Sequence, residues 1–213
     1  MIGVKSIMEA FLAPLTELKE FNDMKEHIKK KHTPVQVTGC IDSQKSHFIY
    51  GLGKEYPCKI IVTHNDLKAK ELFWEYKLYE KEVYLYPAKD VIFYSADIHG
   101  NAIVKSRLEV LSRFIEKEPM TIITTIDAGM DRVLPLEYME QSVIHLKEAG
   151  IEDLSKLQEK LAYLGYEKVG QVEGTGQFAV RGGILDIYPL TKDCPYRVEF
   201  WDDEIDTIRA FDV

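Results

Sequence analysis

Gly39-Cys40-Ile41-Asp42-Ser43-Gln44-Lys45-Ser46 is the first run whose residue types and spacing could do chemistry. A phosphate-binding loop reads G-x-x-x-x-G-K-[ST] between a strand and a helix; its backbone N–H groups and lysine cradle phosphates and its hydroxyl holds magnesium. Gly39, Lys45 and Ser46 fill three of the defining positions, and Gln44 stands at the second glycine. That glycine lets the backbone curl so that successive N–H groups face the phosphates, and a Cβ with a long amide crowds the β-phosphate. Three readings fit: a working nucleotide site, a loop of phosphate-binding ancestry that has lost its ligand, and a strand-turn-helix that matches by chance. A working ATPase also needs a magnesium-binding aspartate after a buried strand. Asp127, following Thr121–Ile126, is the candidate, but Ala128-Gly129 and no second acid come next. It reads more simply as a polar strand end.

Little else in the chain carries catalytic chemistry. Cys40, Cys58 and Cys194 are odd in number and far apart, and with the histidines they form no disulfide framework and no metal site. No Ser/His/Asp grouping or paired-carboxylate motif stands out. Asp202-Asp203-Glu204 reads as a solvated hairpin turn, and Lys29-Lys30-Lys31 as the last turn of a helix favoured by its dipole. The expectation is no catalytic residue, no metal and no cofactor. No apolar run approaches the ~20 residues of a membrane span, and no signal peptide is visible, so a cytoplasmic protein with no membrane partner is expected.

The elements around these residues alternate at first. Ser6 and Glu9 have capping-box spacing. Val35–Thr38, Lys59–Thr63, Val83–Tyr86 and Thr121–Ile126 read as strands. Ser43–Leu52, Asn65 or Asp66 to Tyr79, and Ala102–Ile115 read as helices between them. Strands alternating with helices predict a parallel sheet covered on both faces. After about Arg132 the pattern changes. Tyr138–Leu146 is strand-like. Asp153 caps a helix carrying Leu154, Leu157, Leu161 and Leu164, with Gly165 at its C-terminal cap. Strands then follow over Lys168–Val172, Gln177–Ile187, Tyr196–Trp201 and Ile205–Phe211, the last two forming a hairpin. The predicted fold is α/β, a parallel sheet with flanking helices over residues 1–132, followed by a smaller α+β domain with an antiparallel sheet over 133–213.

Charge divides at the same place. Of 27 Lys+Arg and 35 Asp+Glu, residues 1–132 hold 19 of each, and residues 133–213 hold 8 and 16, the whole net charge of −8. DNA affinity rests on neutralising phosphates, so the acidic second half suits a protein partner, and the neutral first half argues against a DNA-binding module.

Gly174-Thr175-Gly176-Gln177-Phe178-Ala179-Val180-Arg181-Gly182-Gly183-Ile184-Leu185-Asp186-Ile187-Tyr188-Pro189 is long and distinctive. So is its continuation, Pro195-Tyr196-Arg197-Val198-Glu199-Phe200-Trp201-Asp202-Asp203-Glu204-Ile205-Asp206 and Ile208–Asp212. This resembles the segment shared by the excision-repair helicase UvrB and the bacterial transcription-repair coupling factors. Val37–His47, Ile61–Leu72 and Ser106-Arg107-Leu108 resemble the same module, so the resemblance covers about 33 to 213. UvrB hydrolyses ATP at this domain and inserts an aromatic hairpin into DNA. Gln44 departs from the first requirement. Residues 83–101 are short for the second, although Tyr84, Tyr86, Phe93 and Tyr94 are aromatic. The chain is therefore more similar to the coupling factors, with a degenerate phosphate loop at Gly39, Gln44, Lys45 and Ser46. The alternative is a piece of a UvrB-like ATP-dependent repair helicase with a live nucleotide site.

The resemblance implies a non-catalytic module that recruits UvrA to lesions where RNA polymerase has stalled. ATP, magnesium, DNA and RNA polymerase would then be met by other domains of a longer protein, of which this chain, stopping straight after a strand, is a piece. It implies a UvrA-binding surface on residues 133–213. Arg181 and Lys168 match basic positions of the UvrB surface, and Ala179 stands where UvrB has a second arginine. Side chains alternate along a strand, which turns Gln177, Ala179 and Arg181 outward and Phe178 and Val180 inward. Gly182-Gly183 reads as a bulge or a close backbone approach.

Overall fold

The computed structural model describes residues 10–89 and 99–213. Ser6, Glu9, Phe93 and Tyr94 lie outside the described residues. The chain divides into two compact units, Met1–Asp131 and Arg132–Val213.

In the first unit, helical residues 10–16 lead into α1 (Lys19–Lys29), and α2 (Asp42–Gly53) follows an extended stretch. Then come β1 (Cys58–Thr63), α3 (Asp66–Tyr76), β2 (Val83–Tyr86), α4 (His99–Ile115), β3 (Met120–Thr125) and the short α5 (Ile126–Met130). The three strands form a parallel sheet in the order β1-β3-β2. β3 is central and buried throughout, as a strand flanked on both sides must be. Its threonines are satisfied: Thr121 donates to Glu80 Oε2 at 2.6 Å, and Thr124 to the Tyr86 carbonyl at 2.8 Å. Asn65 caps α3 by accepting from the Lys68 N–H at 2.8 Å. One face of the sheet packs Ile61, Ile123, Val83 and Leu85 with Tyr50 of α2 and Ala69, Leu72 and Tyr76 of α3. The other packs Met120 and Ile122 against Val110 of α4.

Two expectations are corrected here. Val35–Thr38 is not a strand: its β-branched residues have the propensity, but the stretch pairs with no backbone in the described sheet, and propensity without a partner ladder makes no strand. Among the described residues the cover of the second face also stops short of β1. Ile60 and Val62, in register with Ile122 and Thr124, remain 62% and 55% exposed.

The second unit begins with α6 (Leu136–Ser142), where a strand was expected across Tyr138–Leu146. Leu136, Glu137, Met139, Glu140 and Gln141 are strong helix formers, and Pro135 sits at the N-cap. Next is α7 (Leu154–Tyr163), capped by Asp153, whose Oδ1 accepts from Ser155 and Lys156 at 2.9 and 3.2 Å. Gly165 ends the turn at φ +89°. The sheet β4-β5-β6-β7-β8 comprises Glu167–Lys168, Gln177–Arg181, Ile184–Ile187, Tyr196–Trp201 and Glu204–Ala210. β4 pairs parallel with β5, and every other pairing is antiparallel. The expected strand at Lys168–Val172 shrinks to two residues. The glycine pair is a two-residue hairpin turn between β5 and β6, not a bulge: Arg181 pairs with Ile184, and Gly182 has φ +61°. The expected close approach is real, since a Cβ on Gly183 would lie 2.9 Å from the Phe200 carbonyl oxygen. Leu157 and Leu161 of α7 close the core over Phe178, Leu185, Ile187, Val198 and Ile205.

Candidate functional site

The helix expected after the phosphate-loop residues is present, but the loop is closed on itself. Gly39 keeps the left-handed φ of +83°. The Gln44 amide oxygen accepts from the Ile41 N–H at 3.2 Å, so a side chain fills the helix entrance where a phosphate would take backbone donors. Lys45 Nζ lies 2.8 Å from Asp42 Oδ1, and Lys68 Nζ lies 3.1 Å from Asp42 Oδ2. Hydrogen bonds from Lys45 and then Lys68, with their charges, hold the Asp42 carboxyl down at about 2. An acid in the first turn, itself favoured by the helix dipole, occupies the lysine that a phosphate would use. Ser46, the magnesium-side hydroxyl of a live loop, is 1% exposed. Asp127 is exposed in the first turn of α5, beside Thr125, whose hydroxyl accepts from the Ala128 N–H at 3.2 Å. These side chains do not fit a bound magnesium nucleotide.

The face of the second sheet away from α7 holds Arg181. Alternation places Phe178, Val180, Leu185, Ile187 and Val198 on the α7 side. It places Arg181, Asp186, Arg197, Glu199 and Arg209 on the other. All three arginines of residues 133–213 therefore stand on one face. Asp186 joins two of them, Arg181 and Arg197. It lies opposite Arg197 in the register and one diagonal step from Arg181. Arg197 grips it bidentately, Nε to Oδ1 at 2.6 Å and Nη2 to Oδ2 at 2.8 Å, and Arg181 Nη2 reaches Oδ2 at 2.8 Å. Hydrogen bonding from Arg197, opposed by burial and reinforced by Arg181, keeps the Asp186 carboxyl below the ordinary carboxylate range. Arg209 pairs with Glu199, which also accepts from the Thr207 hydroxyl at 3.3 Å. The Arg197 guanidinium lies 5.2 Å from the Phe211 ring centre. An open groove of about 460 Å³ runs here, lined by Gln171, Val172, Arg181, Asp186, Arg197 and Phe211.

The four residues singled out from sequence are not brought together. Arg181 is outward, its side chain 57% exposed, with donors to spare beyond its bond to Asp186. Ala179, expected outward, is buried at 2%: it stands opposite Asp186 on a covered stretch of that face. Gln177 serves its own loop, its Oε1 accepting from Glu173 and Gly174 N–H at 3.0 Å each and its Nε2 donating to Glu167 at 3.3 Å. Lys168 is in register with Phe178, hence on the α7 side, and its ammonium donates to Gln158 Oε1 at 2.9 Å. Reading along one strand missed Arg197 and Asp186. The alternating Arg197-Val198-Glu199 was their only signal, and it acquires meaning when β6 and β7 pair.

A family model described as the UvrB interaction domain matches residues 144–213, the part that builds this sheet and α7. The transcription-repair-coupling factor of Bacillus subtilis (strain 168) is 30% identical over 202 residues, 92% of this chain and 17% of that protein. Over this stretch the chain is similar to the transcription-repair-coupling factors. The coupling factor of Haemophilus influenzae (strain Rd) is 33% identical over 137 residues, 64% of this chain and 12% of that protein. That of Escherichia coli (strain K12) is 34% identical over 111 residues, 52% of this chain and 10% of that protein. The chain thus spans 10–17% of the length of these coupling factors. Among the described residues no helix is long and apolar enough to cross a membrane.

Proposed function

We propose that this chain is a non-catalytic recruiting module of a transcription-repair coupling factor, and that its second unit docks UvrA through the arginine face of the sheet. The observation that carries this reading is the gathering of Arg181, Arg197 and Arg209 on one face of a net-acidic unit, with Arg181 and Arg197 lining an open groove. Planar guanidinium groups with free donors suit bidentate contacts to a partner's carboxylates. The likeness to the coupling factors and the match to the UvrB interaction domain support UvrA as that partner. The closed loop at Asp42, Gln44, Lys45 and Ser46 supports a unit without nucleotide. ATP, magnesium, DNA and stalled RNA polymerase then belong to other domains of the longer protein, in the cytoplasm.

Calorimetry of this chain against UvrA tests the reading. Arginines are enriched among interface hot spots, where truncation costs at least ~2 kcal/mol, so Arg181→Ala weakens binding roughly thirtyfold. The melting temperature stays nearly unchanged, because an exposed arginine supports little of the core. Lys168→Ala costs less, since its ammonium is engaged with Gln158 on the α7 side. Unchanged affinity in Arg181→Ala rejects the assignment. Micromolar binding of labelled ATP and magnesium, abolished by Lys45→Ala, favours the helicase alternative.

A further inference from the structure

Asp186 is an unusual residue for its position. It is 2% exposed, yet it is an acid in the middle of a sheet face, and both of its neighbours in charge are arginines that reach the surface. A buried ion pair is weak support for stability: the desolvation it requires is often better avoided by apolar residues of the same size. A sheet of this size has such an option on β6, where Leu185 and Ile187 flank the acid. What the carboxylate does supply is direction. Its Oδ2 is shared between Arg197 Nη2 and Arg181 Nη2, both at 2.8 Å, while Oδ1 is taken by Arg197 Nε at 2.6 Å. The two-point grip fixes Arg197 in plane, and Phe211 backs it. The single bond to Arg181 fixes one Nη and leaves the remaining donors facing the groove. A long side chain that is 57% exposed otherwise samples many rotamers, and ordering it on binding costs about 0.5–1.5 kcal/mol.

We infer that Asp186 is a positioning residue: its buried carboxylate pre-orders the Arg181 guanidinium for a partner's carboxylate, with Arg197 as the second clamp that holds the acid in place. This rests on the reading of the arginine face as the UvrA-docking surface and adds a residue that acts without touching the partner. It makes Arg181 and Asp186 one energetic unit, so their substitutions are not additive.

The test is a double-substitution cycle with a spectroscopic arm. UvrA affinity is measured for the chain, for Asp186→Asn, for Arg181→Ala and for the pair, below the melting temperature of the least stable variant. The expected result is a loss of about tenfold for Asp186→Asn and no further loss when it is added to Arg181→Ala. A loss from Asp186→Asn that is fully additive to that of Arg181→Ala overturns the inference, as does an unchanged affinity. A merely structural role lowers the melting temperature but leaves the affinity of the folded molecules alone. The second arm needs no partner: side-chain nitrogen relaxation of Arg181 is compared in the chain and in Asp186→Asn. An ordered guanidinium that becomes mobile in the variant supports positioning, and equal order in both overturns it. If Arg181→Ala leaves UvrA affinity intact, the docking reading fails while this arm still decides the role of Asp186.

Discussion

Two aspartates show how differently the same charge behaves at two places. Asp186 and Asp42 are both held below the ordinary carboxylate range by cations. For each, the contribution to stability is complete above the unfolded value near 3.8 and is lost as pH falls through the lower folded value. Asp186 is enclosed by the sheet, so its protonation uncouples two arginines inside a packed unit. Acid unfolding of the second unit should therefore steepen below pH ~4, and Asp186→Asn should flatten that part of the curve, as read by circular dichroism against pH. Asp42 is solvent-exposed, and solvent screening leaves its lysine pairs little to contribute. Its carboxyl should titrate at about 2 by NMR, while Asp42→Asn hardly moves the melting temperature. Ala179 gives the opposite lesson to that expected from its family position. Because it is buried, Ala179→Arg overpacks its neighbourhood, and a loss of about 1–3 kcal/mol in denaturant titration is the expected outcome, with no tighter UvrA binding.

At the scale of elements, the β5–β6 hairpin ties the site to the fold, because its two-residue turn sets which residues oppose Asp186. Gly182 and Gly183 serve it for different reasons. Gly182 sits at φ +61° in open space, so Gly182→Ala carries only the left-handed penalty of about 1 kcal/mol. Gly183 has ordinary backbone angles but no room, since its carbonyl accepts from Phe200 N–H at 2.7 Å and a Cβ would meet the Phe200 carbonyl oxygen. Gly183→Ala therefore pushes β7 away and should cost more than Gly182→Ala in urea unfolding; the reverse order would contradict this packing. Elements with a strong local signal were legible in the sequence. The Asp153 cap, the leucine stripe and Gly165 together define α7, and Thr121–Ile126 declares a buried strand that runs one residue earlier, over Met120–Thr125. Elements defined by their partners were not. Val35–Thr38 has strand residues without a neighbouring strand among the described residues, and Leu136–Ser142, with Tyr138 inside it and Val143 and Ile144 after it, is a helix that its Glu, Gln, Met and Leu content sustains. The same limit hid half of the site. Arg181 could be turned outward by counting along one strand, but Asp186 and Arg197 join it through the β5-β6-β7 register, a property of pairing and not of any local stretch.

The whole chain joins a neutral α/β unit whose phosphate loop is closed to a small acidic unit whose arginines share one face. The family-model match over 144–213 falls within the second unit, and so does the proposed docking face. That unit has its own core, with Leu157, Leu161, Phe178, Leu185, Val198 and Ile205 all but fully buried, and its own five-stranded sheet. Residues 132–213 should therefore fold cooperatively when produced alone. A core of this size supplies only about 3–5 kcal/mol, so its melting temperature is expected to lie below that of the full chain. If docking uses the arginine face alone, the isolated unit binds UvrA as tightly as the full chain does. Both bindings should weaken with added salt, because the long-range attraction between guanidinium groups and a partner's carboxylates is screened. Calorimetric unfolding and binding on the two proteins side by side decide the matter. A missing cooperative transition shows that the second unit depends on the first for its fold. A cooperative transition with affinity reduced tenfold or more shows that residues 1–131 carry part of the docking surface, and the arginine face then ceases to be sufficient.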